Sequence, residues 1–286
     1  MLHGYIILCP ITAKQMLDDR VLACKKIQRA LKLAEKISLK IIGLGAYTSS
    51  VTDGGRDIVG KYKLAITNGN ARTSAVAIKD IAKIVKCVFK GNFSEPEIAV
   101  VGATGSIGSA VSKMIAAYKP RSLILVGRNA ENLNELKSDI KSFQKIFATT
   151  KIQNIKTADL IVVATSAKGA ILKPDYLKKG AIVYDITQPR NVAKILCEQR
   201  PDILVLDGGL VKTENISYQF NFYLPKDTIF ACLAEVMILT LKKQFIDFSI
   251  GKVSLDKVEK INKMVQDIGF ESPAFYSFGK RVSLRR

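Results

Sequence analysis

The stretch Glu97 to Val111, EIAVVGATGSIGSAV, constrains this chain more than any other. A short apolar run, Ile98 to Gly102, enters the turn Gly102-Ala-Thr-Gly105-Ser-Ile-Gly108, and Ile107, Val111, Met114 and Ile115 then recur at helical spacing. Strand, glycine turn and helix in that order form a phosphate cradle. Gly102 permits the turn, Gly105 lets the backbone approach a pyrophosphate, and Gly108 allows close packing of helix on strand. The free N–H groups and positive dipole end of the helix then face the anion. Thr104, Ser106 and Ile107 complete the expected cofactor-binding set in this turn. A turn of purely structural use has the same spacing, but here the context is right on both sides. The following strand, Ser122 to Gly127, leads into Arg128. An acid at that position binds a ribose 2′-hydroxyl, whereas an arginine favours a 2′-phosphate, so the expected dinucleotide is NADPH.

Further strands are expected over 159–165, 181–185 and 203–207, with a charged helix over 131–142 and a short segment near 145–149. Five strands alternating with helical segments predict a doubly wound parallel sheet from 94 to 210, an α/β fold of Rossmann type. Thr165 and Ser166 end the 159–165 strand, at the sheet edge where the nicotinamide half of a dinucleotide sits. Upstream, YIILCP (5–10) reads as a strand ended by Pro10, and residues 13–37 as one amphipathic helix. Two short strands (39–45 and 63–67) bracket a polar, glycine-containing loop, 46–55. Loops at strand ends commonly line sites, which makes Tyr47, Thr48 and Ser49 candidates for substrate contact, with ordinary turn chemistry as the alternative. Asn70, a further substrate candidate, or Thr73 is expected to cap a helix running to Val88. Gly91 to Pro96 reads as a linker. The expected organisation is a substrate domain (1–93), the nucleotide domain (94–210), and a helical C-terminal segment (211–286) packing back on the first.

Five cysteines and one histidine, with no paired Cys-x-x-Cys spacing, argue against a disulfide scaffold and a metal site. No stretch is long and apolar enough to span a bilayer, and the N-terminus lacks a signal-peptide pattern, so the default location is cytoplasmic. The 44 basic residues against 25 acidic ones give a net charge of +19, which suits an acidic carrier protein, an anionic membrane surface or nucleic acid. The basic residues are dispersed and no base-stacking aromatic pattern accompanies them, so nucleic acid ranks last.

Cys232 differs from the other cysteines. It lies near the expected start of an apolar helix (228–241), where dipole and free N–H groups favour a thiolate and would stabilise an oxyanion. Glu235, three residues on, shares its face. A thiolate beside a nicotinamide suggests attack on an activated acyl group followed by hydride delivery. A buried structural cysteine is the alternative.

The segments Ile42 to Ser50, Thr67 to Thr73, Val101 to Val111, Gly208-Gly209 and Phe230-Ala-Cys-Leu-Ala-Glu235, together with His3-Gly4, occur in an order that resembles the long-chain acyl-[acyl carrier protein] reductases best known from cyanobacteria. The resemblance spans nearly the whole chain, as a short form without the N-terminal stretch of the cyanobacterial members. It implies that Cys232 is acylated by a fatty acyl thioester, carried on acyl carrier protein or coenzyme A, and that NADPH reduces the acyl-enzyme to a fatty aldehyde. It also carries the cofactor turn onto Gly102, Gly105 and Gly108 and the post-strand cation onto Arg128. The chain departs from that pattern in Ser106, where an Asp is usual, and in Asp185-Ile-Thr-Gln188. The proton donor is open, with His3 and Tyr47 as candidates. Competing readings are a shikimate- or quinate-type dehydrogenase with direct hydride transfer, glutamyl-tRNA reductase chemistry, and a non-enzymatic nucleotide-sensing module. Fold kinship alone does not separate them.

Overall fold

In the computed structural model, residues 3–213, 216, 221–266 and 268–284 are described. The chain divides into two units, residues 1–72 with 230–269, and residues 73–229 with 270–286. The first division falls inside a helix rather than at the Gly91–Pro96 turn.

The expected helix over 13–37 is two helices, α1 (Ala13–Asp18) and α2 (Arg20–Lys36). Asp19 divides them: its side chain accepts the Leu22 N–H at 2.9 Å, capping α2 and ending α1. β1 (Ile41–Gly43), α3 (Tyr47–Val51) and β2 (Ala65–Thr67) follow, and β1 pairs with β2 in parallel. Helix α4 (Asn70–Val88) then carries the chain into the second unit.

There, β3 (Glu97–Val101), α5 (Ser106–Ala117), β4 (Ser122–Val126), α6 (Ala130–Asp139), β5 (Ile146–Thr149), β6 (Leu160–Val163), β7 (Ile182–Asp185), α7 (Ile195–Gln199) and β8 (Leu204–Asp207) build the sheet. Among the described residues it has six strands, all parallel, in the order β5-β4-β3-β6-β7-β8. That is the doubly wound Rossmann order, with β3 as the first strand. The sequence reading gave five strands; the segment at 145–149 is the sixth, at the edge. The crossovers also differ between halves. β3, β4 and β5 are joined by full helices, whereas β6 to β8 are joined by 3₁₀ turns and the five-residue α7. One face of the sheet packs Ile98, Val100, Leu123, Leu125, Leu160 and Val162 against Ala77, Ile81 and Ile84 of α4. This packing is why residues 73–93 belong to the nucleotide unit.

Helices α8 (Ala231–Leu241) and α9 (Leu255–Met264) return to the first unit. α8 lies against β1, so closely that a side chain at Gly43 would stand 3.2 Å from Val236. The segment 247–249 runs beside β2: Asp247 accepts the Ile66 N–H at 2.8 Å, and the N–H groups of Phe248 and Asn68 donate to Ile66 and Ser249 carbonyls. The unit's core gathers Ala23, Ile27, Leu31 and Ala34 of α2 with Tyr47, Val51 and Ile66.

Two expectations fail in this unit. Residues 5–10 form no strand, because no partner edge meets them; Tyr5 and Leu8 are exposed while Ile7 and Cys9 lean on the core. The polar loop at 46–55 is helical, as α3 plus a 3₁₀ turn at Asp53–Gly55. Its Tyr, Ser and Val side chains at alternate positions suit either structure, and tertiary packing of Tyr47 and Val51 decides for helix. No helix among the described residues is long and apolar enough to cross a membrane.

Candidate active site

The nucleotide cradle forms where the sequence places it. Gly102 has φ 86°, and a Cβ there would stand 2.4 Å from the Ala164 carbonyl oxygen. At Gly108 a Cβ would meet the Gly102 carbonyl oxygen at 2.1 Å. Neither position tolerates a side chain without moving backbone. Gly105 is exposed and stands as the N-cap of α5 with no side chain satisfying the helix's first N–H groups. A close-packed glycine turn that opens a helix with no side-chain cap fits a dinucleotide pyrophosphate. Ser106 and Ile107 open α5 and are half-buried, and Thr104 lies within the turn beside Gly127. Arg128 follows β4, the strand next to β3, and is exposed; among the described residues its side chain has no ion-pair or hydrogen-bond partner. Thr165 and Ser166 follow β6, with the Thr165 hydroxyl accepting the Ala167 N–H at 3.2 Å.

Three groups around this edge were not singled out by the sequence reading. Asp185, buried at the end of β7, accepts the Thr187 hydroxyl at 2.6 Å and the N–H groups of Thr187, Asn191 and Val192 at 3.0–3.1 Å. Burial pushes its carboxyl pKa up, and these four donors oppose that shift. Asn191 in turn donates to the carbonyls of Ala167 and Gly169 at 2.8 and 2.7 Å, fixing the loop that follows Thr165 and Ser166. Beneath Gly208, where a Cβ would meet the Tyr184 ring at 2.8 Å, the Tyr184 hydroxyl donates to Asp80 at 2.7 Å. Burial and the neighbouring Asp80 hold that phenol well above its ordinary pKa. It acts as a strut.

In the other unit, Cys232 is the second residue of α8 and half-buried. The backbone N–H groups of Leu233, of Cys232 itself and of Ala46 favour its thiolate. Two of them belong to the helix start. The third comes from the end of the β1 loop, where Ala46 is exposed and held at φ 48°, ψ −131°. That conformation is unfavourable for a residue with a Cβ, by about 1–3 kcal/mol, and such strain concentrates at functional sites. Gly69 (φ 76°) closes the opposite side: a Cβ there would stand 2.4 Å from both Cα and Cβ of Cys232.

Glu235 fastens this arrangement. Fully buried, it accepts the hydroxyl of Thr67 and, at 2.7 Å, the N–H of Arg72, so it grips both ends of the turn that carries Gly69. Asn68 adds bonds from its amide to the carbonyls of Gly54 and Gly251 at 3.1 Å. Burial raises the Glu235 carboxyl pKa against these hydrogen bonds. The thiol departs from the expected direction. Burial, reinforced by Glu235, pushes Cys232 up to about 11, outweighing the three amides that favour its thiolate. A thiol raised that far is neutral at neutral pH.

The remaining candidates are placed differently from one another. Tyr47 and Ser49 are buried in α3, and the Thr48 hydroxyl donates to Gly45 O at 2.6 Å, so helix packing absorbs much of the expected substrate loop. Asn70 is the first residue of α4 rather than its cap; the Asn68 side chain accepts the Asn70 N–H at 3.0 Å instead. Thr73 lies inside the helix. His3 is exposed in the irregular N-terminal segment.

Residues 83–206 match the Shikimate / quinate 5-dehydrogenase family. Over 293 residues the chain is 26% identical to the aminotransferase PigE of a Serratia species, covering 99% of this chain and 34% of PigE, so it spans about a third of that relative's length. It is 29% identical over 266 residues to the long-chain acyl-[acyl-carrier-protein] reductase of Synechococcus elongatus, covering 87% of this chain and 76% of that enzyme. Glutamyl-tRNA reductase from Methanobrevibacter smithii is 29% identical over 114 residues, 38% of this chain and 28% of that enzyme. Six parallel strands in Rossmann order, the glycine cradle and these reductase and dehydrogenase similarities make the nucleotide unit that of an NAD(P)-dependent oxidoreductase.

Proposed function

We propose that the chain is an NADPH-dependent acyl-thioester reductase that takes a fatty acyl group onto Cys232 and releases it as an aldehyde. The observation that carries the reading is the place of Cys232 at the uncapped start of α8, with Gly69 closed against its Cα and Cβ. Attack of the Cys232 sulfur on a thioester carbonyl forms the Cys232 thioester and expels the carrier thiol, which takes up the proton. The uncapped N–H groups at the start of α8 would stabilise the developing oxyanion. Glu235 holds the Gly69 turn in place and so positions Cys232. The start of α5 at Ser106 and Ile107 would hold the pyrophosphate, with Gly105 letting it approach the backbone, Arg128 would hold the 2′-phosphate, and Thr165 and Ser166 the nicotinamide half. NADPH, when bound, would supply the hydride that turns the acyl-enzyme into aldehyde and Cys232 thiolate, which takes its proton from solvent. The similarity to the Synechococcus reductase over most of both chains supports the same reading.

Incubation with acyl-carrier or acyl-coenzyme A thioesters in the absence of NADPH, followed by intact-mass and peptide analysis, tests it. Acylation of Cys232 is the expected result. Cys232→Ser is expected to remove aldehyde formation, a loss of about 10³-fold or more, while NADPH still binds. The match of residues 83–206 to the shikimate and quinate dehydrogenases favours a second reading, direct hydride exchange with an alcohol and no covalent step. Full turnover by the Ser variant would establish that reading instead.

A further inference from the structure

Helix α2 carries six basic residues and one acid, Glu35, whose carboxylate accepts the Lys63 backbone N–H. Its core face is Ala23, Ile27, Leu31 and Ala34. On the opposite face Lys25, Arg29, Lys32 and Lys36 follow one another at spacings of four, three and four residues, and all are exposed. At 100° per residue they fall within about 60° of arc, in a row about 16 Å long. Among the described residues none of the four side chains has an ion-pair or hydrogen-bond partner. Single lysines of other helices do find partners: Lys263 pairs with Glu259 on α9, and Lys83 of α4 donates to the Ser272 carbonyl. Three successive like-charged pairs cost α2 about 0.2–0.5 kcal/mol each, which packing does not require.

Helix α2 and the proposed nucleophile belong to the same unit. The Arg20 guanidinium and the Cys24 thiol, on the face of α2 turned away from the row, both reach the carbonyl of Val51, at 3.0 and 3.8 Å, so α2 packs on α3. Helix α3 starts directly after Ala46, whose N–H favours the Cys232 thiolate.

We propose that the Lys25–Arg29–Lys32–Lys36 row is the docking face for an acidic acyl carrier protein, which delivers its thioester to Cys232. The proposal rests on the acyl-thioester reading for its substrate. A straight row of cations at helical spacing complements a helix edge lined with carboxylates. The row holds no aromatic side chain for stacking bases. It also lacks an apolar centre to enter a bilayer, since exposed Leu33 and Ile37 lie to one side.

The test compares the wild type with Lys25→Glu/Arg29→Glu/Lys32→Glu, and with the Gln counterpart in case charge reversal disturbs folding. Binding of an apo acyl carrier protein at low salt is expected to weaken about tenfold or more in the Glu variant and by less in the Gln variant. The wild-type advantage should vanish near about 0.5 M salt. KM for the acyl-carrier substrate should rise with kcat retained, and turnover of a small-thiol acyl thioester should not change. Unchanged carrier affinity in both variants overturns the proposal. So does loss of binding to anionic phosphatidylglycerol vesicles with carrier affinity intact. Because the apo carrier bears no thioester, the binding arm is independent of the chemistry. A wild type that docks it but never acylates Cys232 would remove the reductase reading and keep the surface. Acylation from coenzyme A with carrier affinity indifferent to the row would do the reverse.

Discussion

The starts of α5 and α8 make an instructive pair, because neither helix has a side-chain cap. At α5 the N-cap is Gly105, exposed and without a Cβ, at the place the proposal gives to a pyrophosphate. At α8 the N–H groups of Cys232 and Leu233, with that of Ala46 from a different element, favour the thiolate of Cys232. The same lack of a capping side chain is proposed to serve a phosphate in one unit and a nucleophile in the other. What differs is burial. The first site has an exposed N-cap, whereas at the second desolvation of the sulfur exceeds what the amides give back.

The largest expected effect tests that balance. Only the thiolate reacts, and with the thiol at about 11 its fraction grows roughly tenfold per pH unit, so Cys232 alkylation should accelerate about 10³-fold between about pH 7 and 10. Peptide-resolved iodoacetamide labelling reads this directly; a rate already flat above neutrality would mean that the amides win. Next, Gly108→Ala drives a methyl to 2.1 Å from the Gly102 carbonyl and should weaken dinucleotide binding about 100-fold, measured by fluorescence titration, with Cys232 acylation retained. Gly69→Ala does the converse. Its Cβ would stand 2.4 Å from Cys232 at a positive φ, so acylation should fall about tenfold by mass analysis while dinucleotide affinity holds. Smallest is Arg128→Asp, which should reduce the NADPH-over-NADH preference about tenfold; an unchanged ratio would place 2′-phosphate recognition elsewhere.

Much of the nucleotide unit was legible because its signals are local. The 97–111 strand–turn–helix is written in consecutive residues, and each of Gly102 and Gly108 stands where a methyl would strike backbone. Helix α4 and strands β4, β6, β7 and β8 follow from apolar runs of the right length. The edge strand β5 was missed because Phe147 is exposed and only Ile146 of its four residues is buried, which leaves no apolar run to read. In the first unit the cues were weaker. Residues 5–10 have strand composition and no edge to join, and 46–55 has loop composition yet helical packing. Cys232 was identified from its place at a helix start, but the sign of its pKa shift was not. That sign depends on how much of the chain closes over the sulfur.

Sequence alone determined the Rossmann-type α/β architecture, the glycine cradle with Arg128 beyond it, and Cys232 as the cysteine of interest, since each depends on neighbours within a few residues. Tertiary structure decided that Ala46 bears on the Cys232 thiol, that Glu235 ties Thr67 and Arg72 around Gly69, and that burial raises the thiol pKa. Those outcomes join residues from 46 to 235, and desolvation is a property of everything packed around an atom, which no short stretch of chain encodes.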